Sequence, residues 1–507
     1  MATAAAGQNA PAHGGRQGGG YAYGVVRNFV GGEWTDPSGM DLMDVVNPAT
    51  AQPHAQVVLS TKAEVERAVG VAQAAYPAWR ATPPVERARY LFRLKALLEG
   101  QFEELARLIT EDHGKTLDDA RGEVRRAIEN VEVACGIPTL MMGYGLEDGA
   151  ARGIDEQVIR QPLGVFAAIC PFNFPAMVPS WFWPYAIACG NTYIVKPSEQ
   201  VPLAMARIFE LAAEAGLPAG VLNLVNGARE TVDALLDDPR IQGISFVGSS
   251  PVAKYVYERA AAKGKRVQAQ GGAKNFLVVM PDAEPVLGNA VSNIIGSAFG
   301  AAGQRCLAGS VLLGVGSAHG AALEQVSAAA KAIKVGYGLD PDVELGPVIS
   351  RAAQERIVKA ADEGERSGAR VVLDGRGVRV SGYESGFFVG PTIFDGVDPG
   401  MGLARDEIFG PVLSVAESGS LQEAIDRINA SPYGNAASIY TQSGKAAREF
   451  RYNVVAGNIG VNVGVAAPMA YFPFAGMKQS FYGTLHGQGR DAVEFFTDKK
   501  VYIERWL

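Results

Sequence analysis

The sequence predicts an α/β protein built on an open, mostly parallel sheet with helices on both faces. Short β-rich runs at 165–170, 193–195, 222–225, 244–247 and 276–279 alternate with helical patterns at 203–215, 229–236 and 251–263. Strands separated by helices pair in parallel, because each crossover returns the chain to the same end of the sheet. A second α/β alternation runs from about 285 to 475. The chain has 507 residues, 48% of them hydrophobic. At roughly 100 to 200 residues per domain, that fills two or three cores.

The elements follow in chain order. Residues 1–24 are rich in Ala and Gly, as in GGRQGGG at 14–20. They bury too little apolar surface to offset ordering entropy and are expected to form a mobile tail. An extended stretch over 29–34 comes next. From 62 to 135 the pattern is helical: Val65, Ala68, Val69 and Ala72 share one face, and Thr61 with Glu64 forms a capping-box signature. The same periodicity returns over 87–110 and 117–135. At the far end, 492–496 and 499–504 are rich in Val, Phe, Tyr and Ile and read as a final β segment. Such a segment serves either as an edge strand or as a pairing surface for a neighbouring subunit.

Charge and thiols narrow the class. Lys and Arg number 46 against 53 Asp and Glu, a net charge of −7. A general nucleic-acid or membrane-surface binder would need a basic face. Cys135, Cys170, Cys189 and Cys306 form no CxxC pair and sit beside no His cluster. No metal site or disulfide framework is expected, and reduced thiols fit an intracellular protein, cytoplasmic or, in a eukaryote, of the mitochondrial matrix. The uncharged stretch 161–195 is long enough for a membrane span, but Pro162, Pro171, Pro175, Pro179 and Pro184 interrupt it. Each proline removes a backbone donor, so the stretch reads as buried core.

Several residues could carry chemistry. No GxGxxG follows a strand. Lys196-Pro197-Ser198-Glu199 directly follows a predicted strand, where open sheets place ligands. Lys196 could reach ribose hydroxyls, and Glu199 could accept from a free 2′-hydroxyl while repelling a 2′-phosphate, favouring NAD over NADP. At Gly248-Ser249 a strand enters a helix, so the segment serves either as a plain turn with an N-cap or as a phosphate seat. Cys306, in Gly303-Gln304-Arg305-Cys306, is either inert packing or a nucleophile, with Arg305 favouring the thiolate. Asn173, in Pro171-Phe172-Asn173-Phe174-Pro175, either closes a turn or donates to an oxyanion.

In series, PFNFP at 171–175, KPSE at 196–199, FVGS at 246–249, GQRC at 303–306 and EIFGPV at 407–412 resemble the aldehyde dehydrogenase superfamily over about 25–507. RGEVRRAIENVEVA at 121–134, KRVQAQGGAKN at 265–275 and FVGPTIFDGV at 388–397 resemble its CoA-acylating branch, which acts on methylmalonate and malonate semialdehyde. The resemblance implies a Rossmann-like NAD domain over 25–144 and 166–274 and an α/β catalytic domain over 275–485. It also implies a small β oligomerisation extension over 145–165 and 486–507, assembling a homodimer or homotetramer. It assigns Cys306 as nucleophile, with its own N–H and the Asn173 amide as the oxyanion hole. Phe172, Lys196, Ser198, Glu199, Gly248, Ser249, Glu407 and Phe409 are the implied cofactor contacts. Arg126 and Arg305 are implied to hold the substrate carboxylate, a task suited to a guanidinium fork.

Two positions depart from the wider family. Gln270 stands where hydrolytic members carry a water-activating Glu, and a carboxamide cannot take a proton. A thioester on Cys306 should therefore persist until CoA attacks it. With a semialdehyde substrate the expected products are CO2 and acetyl-CoA or propionyl-CoA. Ala253 stands where many relatives carry Gly, and its methyl is expected to crowd a pyrophosphate. The rival expectations are a hydrolytic dehydrogenase of another aldehyde and a scaffold that kept only the fold.

Overall fold

The computed structural model describes residues 21–506. The expected tail falls mostly on 1–20, outside the described residues. Tyr23 is already engaged, its N–H donating to the His54 carbonyl at 2.9 Å and its hydroxyl to Glu111.

The helical periodicity of 62–135 folds as four helices: Lys62–Ala81, Pro84–Gly100, Phe102–His113 and Leu117–Cys135. Thr61 and Glu64 form the predicted capping box, satisfying two backbone donors reciprocally. The first helix packs Val65, Ala68, Val69 and Ala72 on one face of a first sheet whose core strands are all parallel, and the other three join the core on the opposite face. In spatial order they are Arg266–Gln270, Ile241–Val247, Val165–Ile169, Thr192–Lys196 and Leu222–Leu224. The sheet thus grows outward in both directions from Val165–Ile169, and the order reverses between that strand and Ile241–Val247. Short antiparallel strands extend both edges: Phe481–Gly483 on one, Phe29–Val30 and Glu33–Trp34 on the other. Residues 481–483 thus pair with the first sheet.

The second alternation builds a separate seven-stranded sheet. Its order is Arg370–Leu373, Thr392–Asp395, Val412–Ser418, Gly309–Val315, Asn275–Val279, Ala436–Tyr440 and Asn458–Val461. All of its pairings are parallel except that of Arg370–Leu373. The uncharged stretch is core, as expected, and no described helix is long and apolar enough to cross a membrane. Its prolines confine it to buried strands and the short helices Met177–Ser180 and Trp183–Cys189.

A third sheet stands apart, with Ile154–Pro162 pairing antiparallel to both Thr497–Arg505 and Tyr144–Leu146. The run 492–496 is not β, as its composition predicts, but part of helix Gly489–Phe496. Ala492, Val493, Phe495 and Phe496 are buried, a helical spacing that seats the two phenylalanines on Phe166 of the first sheet. Burying that face outweighs the weak β preference of the residues.

Candidate active site

The site grows from the point where the first sheet reverses its strand order, the crevice where open α/β sheets bind ligands. Val165–Ile169 runs out into Cys170-Pro171-Phe172-Asn173, and Ile241–Val247 into Gly248-Ser249. With Lys196, Ser198, Glu199, Glu407 and Phe409 they line a cavity of about 730 Å³. All eight sequence-predicted cofactor contacts lie on this one cavity.

Its local geometry suits a dinucleotide. Any side chain at Gly248 would stand 2.5 Å from the Phe246 ring, so glycine keeps the backbone open there. Ser249 is the N-cap of helix Ser250–Ala261, yet its hydroxyl makes no capping bond. The hydroxyl and the first-turn N–H groups are left for an anion. Ala253 does not crowd this seat: it is fully buried in the core beneath the helix, and Val252 lines the cavity instead. A helix turns its third and fourth residues, Val252 and Ala253, to different faces, which the motif alone does not reveal. Lys196, 4% exposed, donates to Glu199 Oε2 at 2.7 Å. That bond fixes both groups at the cavity wall.

Glu407 accepts the Ala273 N–H at 2.8 Å, and a side chain at Gly272 would collide with its carboxylate. Burial raises the Glu407 pKa, opposed by that N–H and by Lys274. Burial also pulls the Lys274 amine down to about 8, although its Nζ donates to the Asp406 carbonyl at 2.9 Å. Phe409 meets Phe172 edge to face at 5.8 Å, and Phe172 stacks on His113 at 6.0 Å. Phe172 and Phe409 both line the cavity, and these ring contacts stiffen its wall.

A second cavity, of about 300 Å³, opens on the other side of Cys306. Phe174, Met177, Trp181 and Phe474 wall it, with Trp181 stacked on Phe474 at 4.4 Å. Arg126 and Arg305 bring its cations. Arg126 donates to Glu129 at 3.1 Å. Arg305 donates from Nη2 to Asp119 Oδ1 at 3.1 Å, and its buried Nε–H has no acceptor among the described residues. The other Asp119 oxygen accepts the Ala301 N–H at 3.0 Å. Ala301 and Ala302 both hold left-handed φ angles, 51° and 53°, a strained turn for residues with a Cβ. Asp119 thereby ties the approach to Cys306 and the Arg305 head to one carboxylate.

Among the described residues, Cys306 alone lines both cavities. Its carbonyl accepts from Asn275 at 2.8 Å and Asn435 at 2.7 Å, fixing the backbone beneath the thiol. Burial, helped by Glu407, pushes the thiol pKa up to about 12. Arg305 acts in the predicted direction, towards thiolate, but burial outweighs it. The other three cysteines are free and buried.

Asn173 is 4% exposed, and its side-chain amide makes no hydrogen bond among the described residues although it borders the Cys306 cavity. Its carbonyl is held instead. Lys115 Nζ donates to it at 2.7 Å and to Glu123 Oε2 at 2.7 Å. Glu123 Oε1 accepts the N–H groups of Ala176 at 2.8 Å and Met177 at 3.2 Å. Lys115 and Glu123 have no exposed side-chain surface. The sequence reading missed this pair and Asp119. The available signal was spacing: Asp119, Glu123 and Arg126 fall at i, i+4 and i+7, one helix face aimed at the two loops around Cys306.

Gln270 is buried at the end of its strand, donating from Nε2 to the Phe474 carbonyl at 2.9 Å. Its Oε1 has no partner among the described residues. No carboxylate occupies this position beside the substrate-side wall.

Comparison with known proteins agrees with this geometry. Residues 34–502 match the aldehyde dehydrogenase family. The chain is 54% identical over 482 residues to malonate-semialdehyde dehydrogenase 2 of Geobacillus thermodenitrificans (strain NG80-2), covering 95% of this chain and 99% of that protein. The structure of methylmalonate-semialdehyde dehydrogenase (DddC) from Oceanimonas doudoroffii superimposes with a TM-score of 0.93 at 46% identity, over 95% of this chain and 98% of that one. A Sinorhizobium meliloti 1021 protein complexed with NAD also matches with a TM-score of 0.93, at 42% identity over 95% of this chain and 98% of its own. With a two-sided cavity around one cysteine, the strand-order reversal that frames it and near end-to-end relatives, this chain belongs to the aldehyde dehydrogenase family.

Proposed function

We propose that this protein oxidises malonate or methylmalonate semialdehyde with NAD and passes the acyl group to CoA, releasing CO2. The position of Cys306 carries this reading: the thiol stands between a dinucleotide-shaped cavity and a smaller one bearing two arginines. The relatives named above act on these semialdehydes by name, and one is complexed with NAD.

Arg126 and Arg305 hold the substrate carboxylate, the free Nε–H of Arg305 supplying one donor. The aldehyde carbon then lies against Cys306 Sγ. The thiol releases its proton to solvent water as sulfur attacks, because burial keeps it protonated at rest. The Asn173 amide and the Cys306 N–H donate to the developing oxyanion, a contribution typically worth about 3–4 kcal/mol per donor. Lys196, Glu199 and Ser249 hold the ribose and phosphate of NAD, with Glu407 and Phe409 at its nicotinamide end. Bound NAD supplies the hydride acceptor, and a thioester remains on Cys306. Gln270 cannot prime water, so the CoA thiolate displaces the cysteine sulfur. The C–C bond to the carboxylate breaks with its electron pair passing to the thioester enolate, which takes up a proton.

The domain boundaries named above remain part of this proposal, as does assembly into a homodimer or homotetramer. Val501, Ile503 and Trp506 are exposed on or next to strand Thr497–Arg505, which suits such a surface. The test is NADH formation from each semialdehyde with and without CoA, with products identified by mass spectrometry. Acyl-CoA and strict CoA dependence support the proposal. Free acid at a rate indifferent to CoA identifies the hydrolytic rival instead.

A further inference from the structure

Gln488 is the least explained residue of the substrate cavity. It is 2% exposed and lines the same cavity of about 300 Å³ as Arg126, Arg305 and Cys306. Its carboxamide makes no hydrogen bond among the described residues. A buried amide without a partner is costly, so an unpaired one facing a cavity marks a place for a ligand oxygen. It also stands as N-cap of helix Gly489–Phe496 without capping it, which releases the side chain from the usual duty of that position. Its backbone holds φ 58° and ψ 175°, a region that only glycine enters without strain. Neighbouring contacts keep it there. Its N–H donates to the Trp181 carbonyl at 3.3 Å, and Phe474 N–H donates to the Gly487 carbonyl at 3.0 Å. The two aromatic wall residues therefore clamp the chain on either side of Gln488 and turn it to the cavity.

We propose that Gln488 is a specificity-determining residue whose Nε2–H donates to the substrate carboxylate, completing a three-residue anion seat with Arg126 and Arg305. This rests on the semialdehyde reading above. An apolar residue here would leave the seat with guanidinium donors alone, whereas a carboxylate would repel the substrate.

The test compares kcat/KM for malonate semialdehyde with that for propionaldehyde, which has the same length and no carboxylate. In Gln488→Met the ratio of the two is expected to fall roughly 10- to 100-fold, the range for a hydrogen bond to a charged group, with most of the loss in KM. Gln488→Glu should lower it further. Gln488→Gly serves if the methionine variant fails to fold, since glycine relieves the strained backbone while deleting the amide; the same fall is expected. A ratio unchanged in the folded variants overturns the proposal. The parent enzyme separates this from the wider reading. No preference for the semialdehyde in the parent overturns both, whereas a parental preference that the variants keep overturns the role of Gln488 alone.

Discussion

Replacing Lys115 with methionine tests whether a buried ion pair sets the position of the oxyanion donor. The change keeps the apolar stem but removes the donor to Asn173 O at 2.7 Å and to Glu123 at 2.7 Å. It also removes an ammonium 4.0 Å from the Phe174 ring. Glu123, with no exposed side-chain surface, is left as a buried carboxylate held only by two backbone N–H groups. Breaking a buried pair by deleting one partner costs about 3–5 kcal/mol of stability. The 171–177 loop then loses the bond that anchors it beside Cys306, and a displacement near 1 Å of a reacting group is worth about 10²-fold in rate. Denaturant unfolding reads the first effect, and the pre-steady-state burst of NADH reads the second. Adding Glu123→Gln to Lys115→Met removes the stranded charge and should recover part of the stability without restoring the burst. A Lys115→Met enzyme with a parental burst rate, or a double variant no more stable than the single, would refute this account.

Other outcomes follow from the same geometry. Gln270→Glu restores a carboxylate at the strand end, so CoA-independent release of free acid should rise by about 10²-fold or more; unchanged acid formation counts against the deacylation scheme. Alkylation of Cys306 by iodoacetamide should climb about tenfold per pH unit between pH 7 and 10 without levelling, because burial holds the thiol pKa at about 12 and reactivity follows the thiolate fraction. A plateau near pH 8.5 would mean that burial does not govern this thiol. Asp119→Asn weakens both the hold on Arg305 and the brace on the strained Ala301 turn. The KM for malonate semialdehyde should increase about tenfold, measured beside propionaldehyde as the uncharged control. Cys306→Ala should form no covalent acyl adduct by intact mass after mixing with aldehyde and NAD.

Much of this architecture is legible one segment at a time, because the forces involved are local. Thr61 and Glu64 announce a helix start through bonds three residues apart, and β-branched runs between helical patterns announce parallel strands. The motif residues are legible for a related reason: Asn173, Lys196, Gly248 and Cys306 each sit at a strand end or turn that their neighbours predict. Helix Gly489–Phe496 was not legible, since its Val and Phe content favours a strand until Phe166 supplies the surface they bury against. Ala253 failed similarly, because which helical face meets the cleft depends on docking rather than on motif.

The primary structure alone announced the alternation of strands and helices, the candidate nucleophile and the missing carboxylate at Gln270. Those depend on residue identity and short-range spacing. Only the folded chain decided which charges are buried together. Lys115 reaches Asn173 across 58 positions and Asp119 reaches Arg305 across 186, and Gln488 becomes an unpaired amide only where the walls of Trp181 and Phe474 enclose it. Desolvation is a property of three-dimensional packing, so the thiol pKa, the ion pairs and the strained turn beside them had to await it.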